Sequence, residues 1–479
     1  MQTISVLVRN RKTHIFGYFP QKAFQDYFSF YVPNYRFMPL FKQGRWDGRV
    51  KLIKNGMVAT GLFLALYREL EEKLNLKFKI EYEITKPEFL PNVDSDRPYQ
   101  IECVRKMQEA CNQGGGLILA ATGVGKTRMT GLLFKSLVGS ACFVVDELTL
   151  MKQALEELTK IVGEPIGHIG HSEFNPKRIT VVTIQTLHKH KDKPHFKEWA
   201  KSLKLMVVDE IHLSINRRQT STLTALQPPA VLGLTATLAL KERHVQLQAF
   251  AIAGPVAFRY SLKTGEEEGY LTKGIVVQVK VEHLFSKTRD EWTDQYYQDV
   301  VYNRKRNDAV EQLARLAWQE GRSVVVLAEW LPHLKDLSQR LHDIPHYVIS
   351  GQIDVDDRVK AKQKFNKGQV RLIITNKVFK KGIDIPKLDC IIDAAGMKSK
   401  TDCIQKYGRG VRLCPGKEGL LYFDIGDKGS YFLEATCKVR SEEFRRNHIP
   451  VFTTTYSTKR APSIVDKAIA KTKRLVQGG

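Results

Sequence analysis

The chain has few ways of cross-linking itself and few acids to set against its bases. Its seven cysteines, at 103, 111, 142, 390, 403, 414 and 437, are odd in number and form no Cys-x-x-Cys pair. Neither a disulfide framework nor a zinc site is suggested, and buried or idle thiols are the reading that remains. No apolar run approaches the length of a bilayer span, and Met1–Val8 lacks the charged start and long apolar centre of a signal peptide. A membrane partner is therefore not expected, and the cytoplasm is the expected compartment. Acidic residues are short: 51 Asp+Glu face 75 Lys+Arg, a net charge of +24. A polyanion is the simplest cause of such an excess, because Lys and Arg gain affinity by displacing counterions from phosphates, and nucleic acid is favoured over membrane. Both ends share the bias, with 15 bases against 8 acids in residues 1–90 and 10 against 4 in residues 431–479.

What is present is organised around Ala120-Ala121-Thr122-Gly123-Val124-Gly125-Lys126-Thr127. The apolar run 117–120 reads as a buried strand, and Met129, Leu132, Leu133 and Leu137 recur at helical spacing, so the glycines fall at a strand-to-helix turn. Such a turn closes backbone N–H groups around phosphate oxygens, with Lys126 as a point charge, Thr127 as a Mg²⁺ ligand and the helix dipole behind them. Some eighty residues on, Val207-Val208-Asp209-Glu210-Ile211-His212 ends a strand in two carboxylates. That pair suits Mg²⁺ and a hydrolytic water beside a γ-phosphate.

Strand-like runs at 117–120, 142–145, 179–183, 205–208 and 230–234 alternate with helical stretches, as do a second set at 323–327, 347–349, 371–374, 390–392 and 420–423. Strands separated by helices imply parallel sheets covered on both faces, hence two α/β lobes, placed at 89–262 and 263–430. With 43% apolar residues, cores can be filled. Residues 1–88 form a separate small α+β domain rich in aromatics, most of which must be core in so small a unit. Within it Lys42, Arg45, Trp46, Arg49 and Lys51 cluster around Gly44 and Gly48, as in an exposed loop that contacts phosphates. Residues 431–479 read as a basic, partly helical tail.

Ala-x-Thr-Gly-x-Gly-Lys-Thr resembles motif I of the superfamily 2 helicases, with Ala120 where the general pattern has its first glycine, and Asp-Glu-x-His resembles motif II of the DExH members. Leu234-Thr235-Ala236-Thr237 is similar to motif III, Thr375–Pro386 to motif V, and Gln405-Lys406-Tyr407-Gly408-Arg409-Gly410-Val411-Arg412 to motif VI. Arg97-Pro98-Tyr99-Gln100 resembles the adenine-reading segment of these motors, while 148–153 and 183–187 resemble motifs Ia and Ic, with Asp146 standing where a proline is usual. The resemblance implies two RecA-like lobes that use ATP and Mg²⁺. Asp209 and Thr127 would serve the metal, Glu210 the hydrolytic water, and Arg97, Gln100, Gly382 and Asp384 the nucleotide. Arg409 and Arg412, read as one face of a helix after Gln405, would reach the γ-phosphate. His212, Thr235 and Thr237 would couple that site to a nucleic-acid track held in part by Thr186 and Thr375. The Gly44–Gly48 segment and the domain order are similar to the phage UvsW-type recombination helicases, which unwind and branch-migrate junction DNA.

The expectation is therefore an ATP-dependent DNA helicase acting on forks, four-way junctions or R-loops, monomeric when free, located in the host cytoplasm if phage-encoded. An RNA helicase, and a protein that uses ATP as a switch to anneal or clamp strands without travelling, are the competing readings.

Overall fold

The computed structural model describes residues 2–91, 94–95, 97–170, 173–236, 242–282, 292–376, 385–396 and 400–477. The chain divides into two compact units, Met1–Ala121 with Gly125–Tyr260, and Ser261–Gly479 with Thr122–Val124.

The first unit starts with a five-stranded sheet in the order Ile53–Lys54, Met57–Ala59, Lys12–Phe16, Gln2–Arg9, Leu76–Glu83. Ile4, Val6 and Val8 alternate inward along Gln2–Arg9, the period a one-sided sheet requires. They meet the helix Thr60–Leu74, whose Leu62, Phe63, Leu66 and Leu70 form its buried stripe. The same helix turns another face to the rest of the unit. Gly61 lies so close to the helix Arg243–Ile252 that a Cβ there would stand 2.3 Å from the Phe250 carbonyl oxygen. Beside it the Arg11 guanidinium donates to the carbonyls of Gly114 and Ile252, and burial lowers its pKa to about 10. Asn10 donates to Pro229 O at 3.0 Å, and Arg243 donates to Tyr27 O at 2.9 Å. One hydrophobic core runs through both parts of the unit.

The rest of the first unit is an eight-stranded sheet, ordered Glu173–Asn175, Gly167–Gly170, Ile179–Thr183, Ser140–Val145, Leu203–Val208, Ala230–Thr235, Gly115–Ala120, Val256–Tyr260. Only the edge strand Glu173–Asn175 pairs antiparallel. The inner strands are buried on both faces, which is why they read as continuous apolar runs and not as alternation.

The second unit holds a seven-stranded, all-parallel sheet: Tyr347–Ile349, Leu372–Thr375, Val324–Leu327, Cys390–Asp393, Leu420–Lys428, Gly274–Glu282, Val451–Thr455. Residues 431–479, basic in sequence, supply its edge strand and two helices, Tyr431–Arg446 and Ala461–Gln477. Ala461, Ile464, Val465 and Ala468 bury one face of the last helix in the lobe's core, leaving its lysines in water.

Gly61→Ala tests whether the amino-terminal domain is built into the first lobe. Overpacking at the Phe250 carbonyl should destabilise the unit by about 1–3 kcal/mol. A lowered melting temperature is expected, and an unchanged one would contradict so close a helix contact.

Candidate nucleotide site and nucleic-acid interface

Three neighbouring parallel strands, Leu203–Val208, Ala230–Thr235 and Gly115–Ala120, end at the same edge of the first lobe. Their carboxyl ends therefore bring motifs II, III and I together, at the crevice where open α/β sheets bind ligands. After Gly115–Ala120 the chain turns through Gly123 at φ +95° and Gly125 at φ +88°, a left-handed backbone that side chains rarely adopt. The helix Lys126–Ser136 then starts with no side-chain cap, as suits a helix start that receives an anion.

Lys126 Nζ donates to Glu210 Oε1 at 2.9 Å. Glu210 Oε2 lies 3.4 Å from His212 Nδ1, and His212 Nδ1 shares a 2.8 Å hydrogen bond with Thr235 Oγ1. Close contacts thus run from motif I through motif II to motif III, with Glu210 Oε2 approaching His212 without a hydrogen bond. Glu210 sits at φ +41°, a strained position of the kind found at functional sites. Burial and the adjacent Glu210 push Asp209 up to about 6. Burial works against the Glu210 charge too, yet Lys126 and His212 hold its carboxyl below the usual value. Two adjoining carboxylates, one of them raised by burial and by the other's charge, form a donor pair that a divalent cation would relieve, and Thr127 follows Lys126 in the first turn of the helix. These residues fit Mg²⁺ carrying a phosphate, since Mg²⁺ needs few protein oxygens and keeps several waters.

Gln100 is fully buried. Its Oε1 accepts from Ser95 Oγ at 2.8 Å and from Arg128 Nε at 3.2 Å, and its Nε2 reaches Tyr99 Oη at 3.3 Å. The amide expected to read adenine is thus engaged within the lobe, although it stands beside Gly125. Arg97 donates to Tyr99 Oη at 3.3 Å, and the Tyr99 ring stacks on Tyr260.

In the second lobe the motif VI helix, Lys400–Gly410, carries Gln405 and Arg409 half-buried. Arg412 is not on it, which corrects the sequence expectation of one shared helical face. The helix stops at Gly410, and Arg412 instead makes an antiparallel bridge with Leu271. The carbonyls freed by that departure are taken up by Lys417, whose Nζ donates to Gly410 O, to Arg412 O at 2.9 Å and to Pro386 O at 3.2 Å. Burial lowers Lys417 to about 8. Deeper in the helix, Lys406 Nζ contacts Asp393 at 2.8 Å and Asp402 at 3.1 Å, and Tyr422 Oη donates to Asp393 at 2.7 Å. None of these anchors was singled out from sequence, because each pairs residues far apart in the chain or looks like ordinary surface charge. The one available signal was that Lys406 lies inside motif VI itself.

The residues expected to touch nucleic acid are less uniform. Lys42 and Arg45 are exposed. Arg49 contacts Asp26 and donates to Tyr31 Oη, and Lys51 lies 3.6 Å from Asp47. Trp46 donates through Nε1 to Arg49 O at 2.8 Å, bracing the loop from within. The Thr186 hydroxyl pairs with Thr183 Oγ1, and Gln185 donates to Asp146 Oδ1 at 3.2 Å, so the acid in place of the usual proline ties the motif Ia and Ic segments together. Thr375 is buried at the end of its strand. Thr237, Gly382 and Asp384 lie outside the described residues.

Comparison with known proteins places these features in a family. Residues 94–240 match the model for the type III restriction enzyme res subunit, and residues 305–414 match that for the helicase conserved C-terminal domain. Residues 21–81 match the N-terminal domain of the DNA helicase UvsW. The chain is a superfamily 2 helicase resembling UvsW. The ATP-dependent DNA helicase uvsW of Enterobacteria phage T4 is 24% identical to it over 441 residues, 84% of this chain and 86% of that protein. The DNA 3'-5' helicase XPB of Kineococcus radiotolerans is 28% identical over 330 residues, 66% of this chain and 57% of its own length. Among solved structures, Saccharomyces cerevisiae Dbp5 bound to RNA and ADP BeF3 superposes with a TM-score of 0.56 at 16% identity, over 79% of this chain and 97% of that one. That likeness concerns the fold. The family implies a nucleotide-dependent activity.

Burial alone would raise Asp393, but Lys406 and Arg440 hold its carboxyl well below the usual range. A depressed carboxylate stabilises the fold above its unfolded value, about 3.9, and that stabilisation drains away as the pH falls through the folded one. Asp393→Asn strips Lys406 of a buried partner and should cost about 3–5 kcal/mol at neutral pH. Melting curves from pH 7 to pH 3 should show the variant losing less stability on acidification than the wild type, and parallel curves would refute the assignment.

Proposed function

We propose that this helicase hydrolyses ATP with Mg²⁺ to move along DNA, and that its substrates are branched: forks, four-way junctions and R-loops of recombination, repair or replication. The observation that supports it most is the chain of contacts Lys126–Glu210–His212–Thr235. Bound Mg²⁺-ATP would supply the electrophilic γ-phosphate. Lys126 must leave Glu210 to reach a phosphate, and Glu210 is thereby freed to take a proton from water. His212 and Thr235 then report the change in Glu210 to the next strand of the sheet. Thr127 and Asp209 would hold the metal. Thr122–Gly125 wrap the phosphates, and Gln100 meets adenine only by exchanging its internal partners. Arg409 and Arg412 are assigned to the charge that develops in the transition state, and Gln405, Gly382 and Asp384 to the nucleotide.

Thr186, Thr237 and Thr375 are assigned to the track and its coupling. Lys42 and Arg45 are the exposed cations of the amino-terminal grip, and Arg49, Lys51 and Trp46 shape its loop. We place the activity in the cytoplasm, in a protein that is monomeric when free of DNA.

Lys126→Ala should lose nucleotide binding and turnover together, whereas Glu210→Gln should bind ATP and fail to hydrolyse it. Arg412→Ala should keep ATP affinity within about tenfold while turnover falls by about 10³. Nucleotide titrations and ATPase assays decide each, and normal hydrolysis by Glu210→Gln would remove motif II from the mechanism. ATP turnover stimulated more by RNA than by DNA would favour the RNA reading, and turnover independent of strand length would favour a clamp. Unwinding of forks, four-way junctions and R-loops by the wild type tests the choice of substrate.

A further inference from the structure

Between Asp26 and Asp47 the sequence has no acid, three bases at Arg36, Lys42 and Arg45, and eight aromatic residues. Part of this stretch is core, but its tip is not. The turn Tyr35–Phe37 and the short helix Pro39–Lys42 bury no residue at all. Phe37 is 76% exposed, Leu40 54% and Met38 37%. Three large apolar side chains together in water need a reason, since neighbouring exposed apolar surface marks an interaction site.

The tip is held firmly. Tyr35 stacks on Tyr31 with ring centroids 4.8 Å apart, meets Phe41 edge-on at 4.8 Å, and lies over Gly48, where a Cβ would come within 2.2 Å of the ring. Backbone hydrogen bonds from Phe37 N to Asn34 O, Met38 N to Tyr35 O and Arg45 N to Leu40 O close the turns. The exposed side chains thus stand on a braced platform, with Arg36, Lys42 and Arg45 exposed on the same stretch of chain.

We propose that Phe37, Met38 and Leu40 form an apolar wedge that packs against unstacked bases at a DNA branch point, with Arg36, Lys42 and Arg45 on the flanking phosphates. Cations without acids select a polyanion, and apolar side chains exposed among them in sequence select one that also presents unpaired bases. Aromatic and aliphatic side chains of this kind are inserted between bases where DNA is kinked or opened. The wedge rests on the DNA reading above and goes beyond it, assigning contact with bases to a domain otherwise given only phosphates.

The test uses a fork and a four-way junction carrying 2-aminopurine at the branch, with single strand and plain duplex of equal length as references. Wild-type protein should raise the 2-aminopurine fluorescence on binding the fork. The Phe37→Ala, Leu40→Ala double variant should lose that rise and bind the fork about 5- to 150-fold more weakly, the effect of one stacked base. Plain duplex affinity and melting temperature should stay those of the wild type, because both side chains lie in water. Phe37→Trp should restore the signal. A double variant that binds forks as tightly as the wild type and still brightens the probe would overturn the wedge. So would one whose only defect is loss of self-association or of a protein contact. Failure of DNA to stimulate wild-type ATP turnover would instead bring down the underlying DNA reading, so the two failures are distinguishable.

Discussion

The ion pair between Lys126 and Glu210 is the constraint from which the chemistry of the first lobe follows. A lysine at a helix start and a glutamate past the end of a different strand can meet at 2.9 Å only if both strands run parallel and end level, with one strand between them. The sheet order supplies this, and the intervening strand ends in Thr235, which receives His212. The pair also neutralises a lysine and a carboxylate that burial would otherwise penalise. Glu210 accepts a left-handed backbone to complete it.

The second lobe solves a related problem by different means. Its motif VI helix carries Arg409 and ends two residues before Arg412, and on a mobile segment either side chain would be poorly aimed. Asp393, at the end of a central strand, fixes the middle of the helix through Lys406, while Lys417 gathers the carbonyls where the chain leaves it. Lys406 is buried and Lys417 half-buried, and both are matched to oxygen acceptors, the arrangement that makes a desolvated charge tolerable and geometrically exacting.

Much of this was legible in the sequence because the inner strands are buried on both faces: the runs at 117–120, 142–145, 179–183, 205–208 and 230–234 each lie within an observed strand, as do most of the runs in the second lobe. The nucleotide motifs were legible because their function depends on residue order over short spans. What stayed hidden depends on residues brought together from afar. The position of Arg412 turns on its bridge to Leu271, the role of Lys417 on carbonyls that any sequence possesses, and the edge strand Val451–Thr455 on pairing with a strand some 175 residues earlier. Phe37 and Leu40 were missed for the opposite reason, since an apolar residue in a small domain is expected to be inside.

The seam between the amino-terminal domain and the first lobe also sets a timetable. Gly61 and its helix are synthesised early, but the helix Arg243–Ile252 that covers them emerges about 170 residues later. At about 5–20 residues per second, the apolar face waits about 10 to 35 s for its partner. A nascent chain of this kind displays a sticky surface on the ribosome for far longer than folding itself takes, which makes the seam the natural place for a chaperone to hold and for premature aggregation to begin.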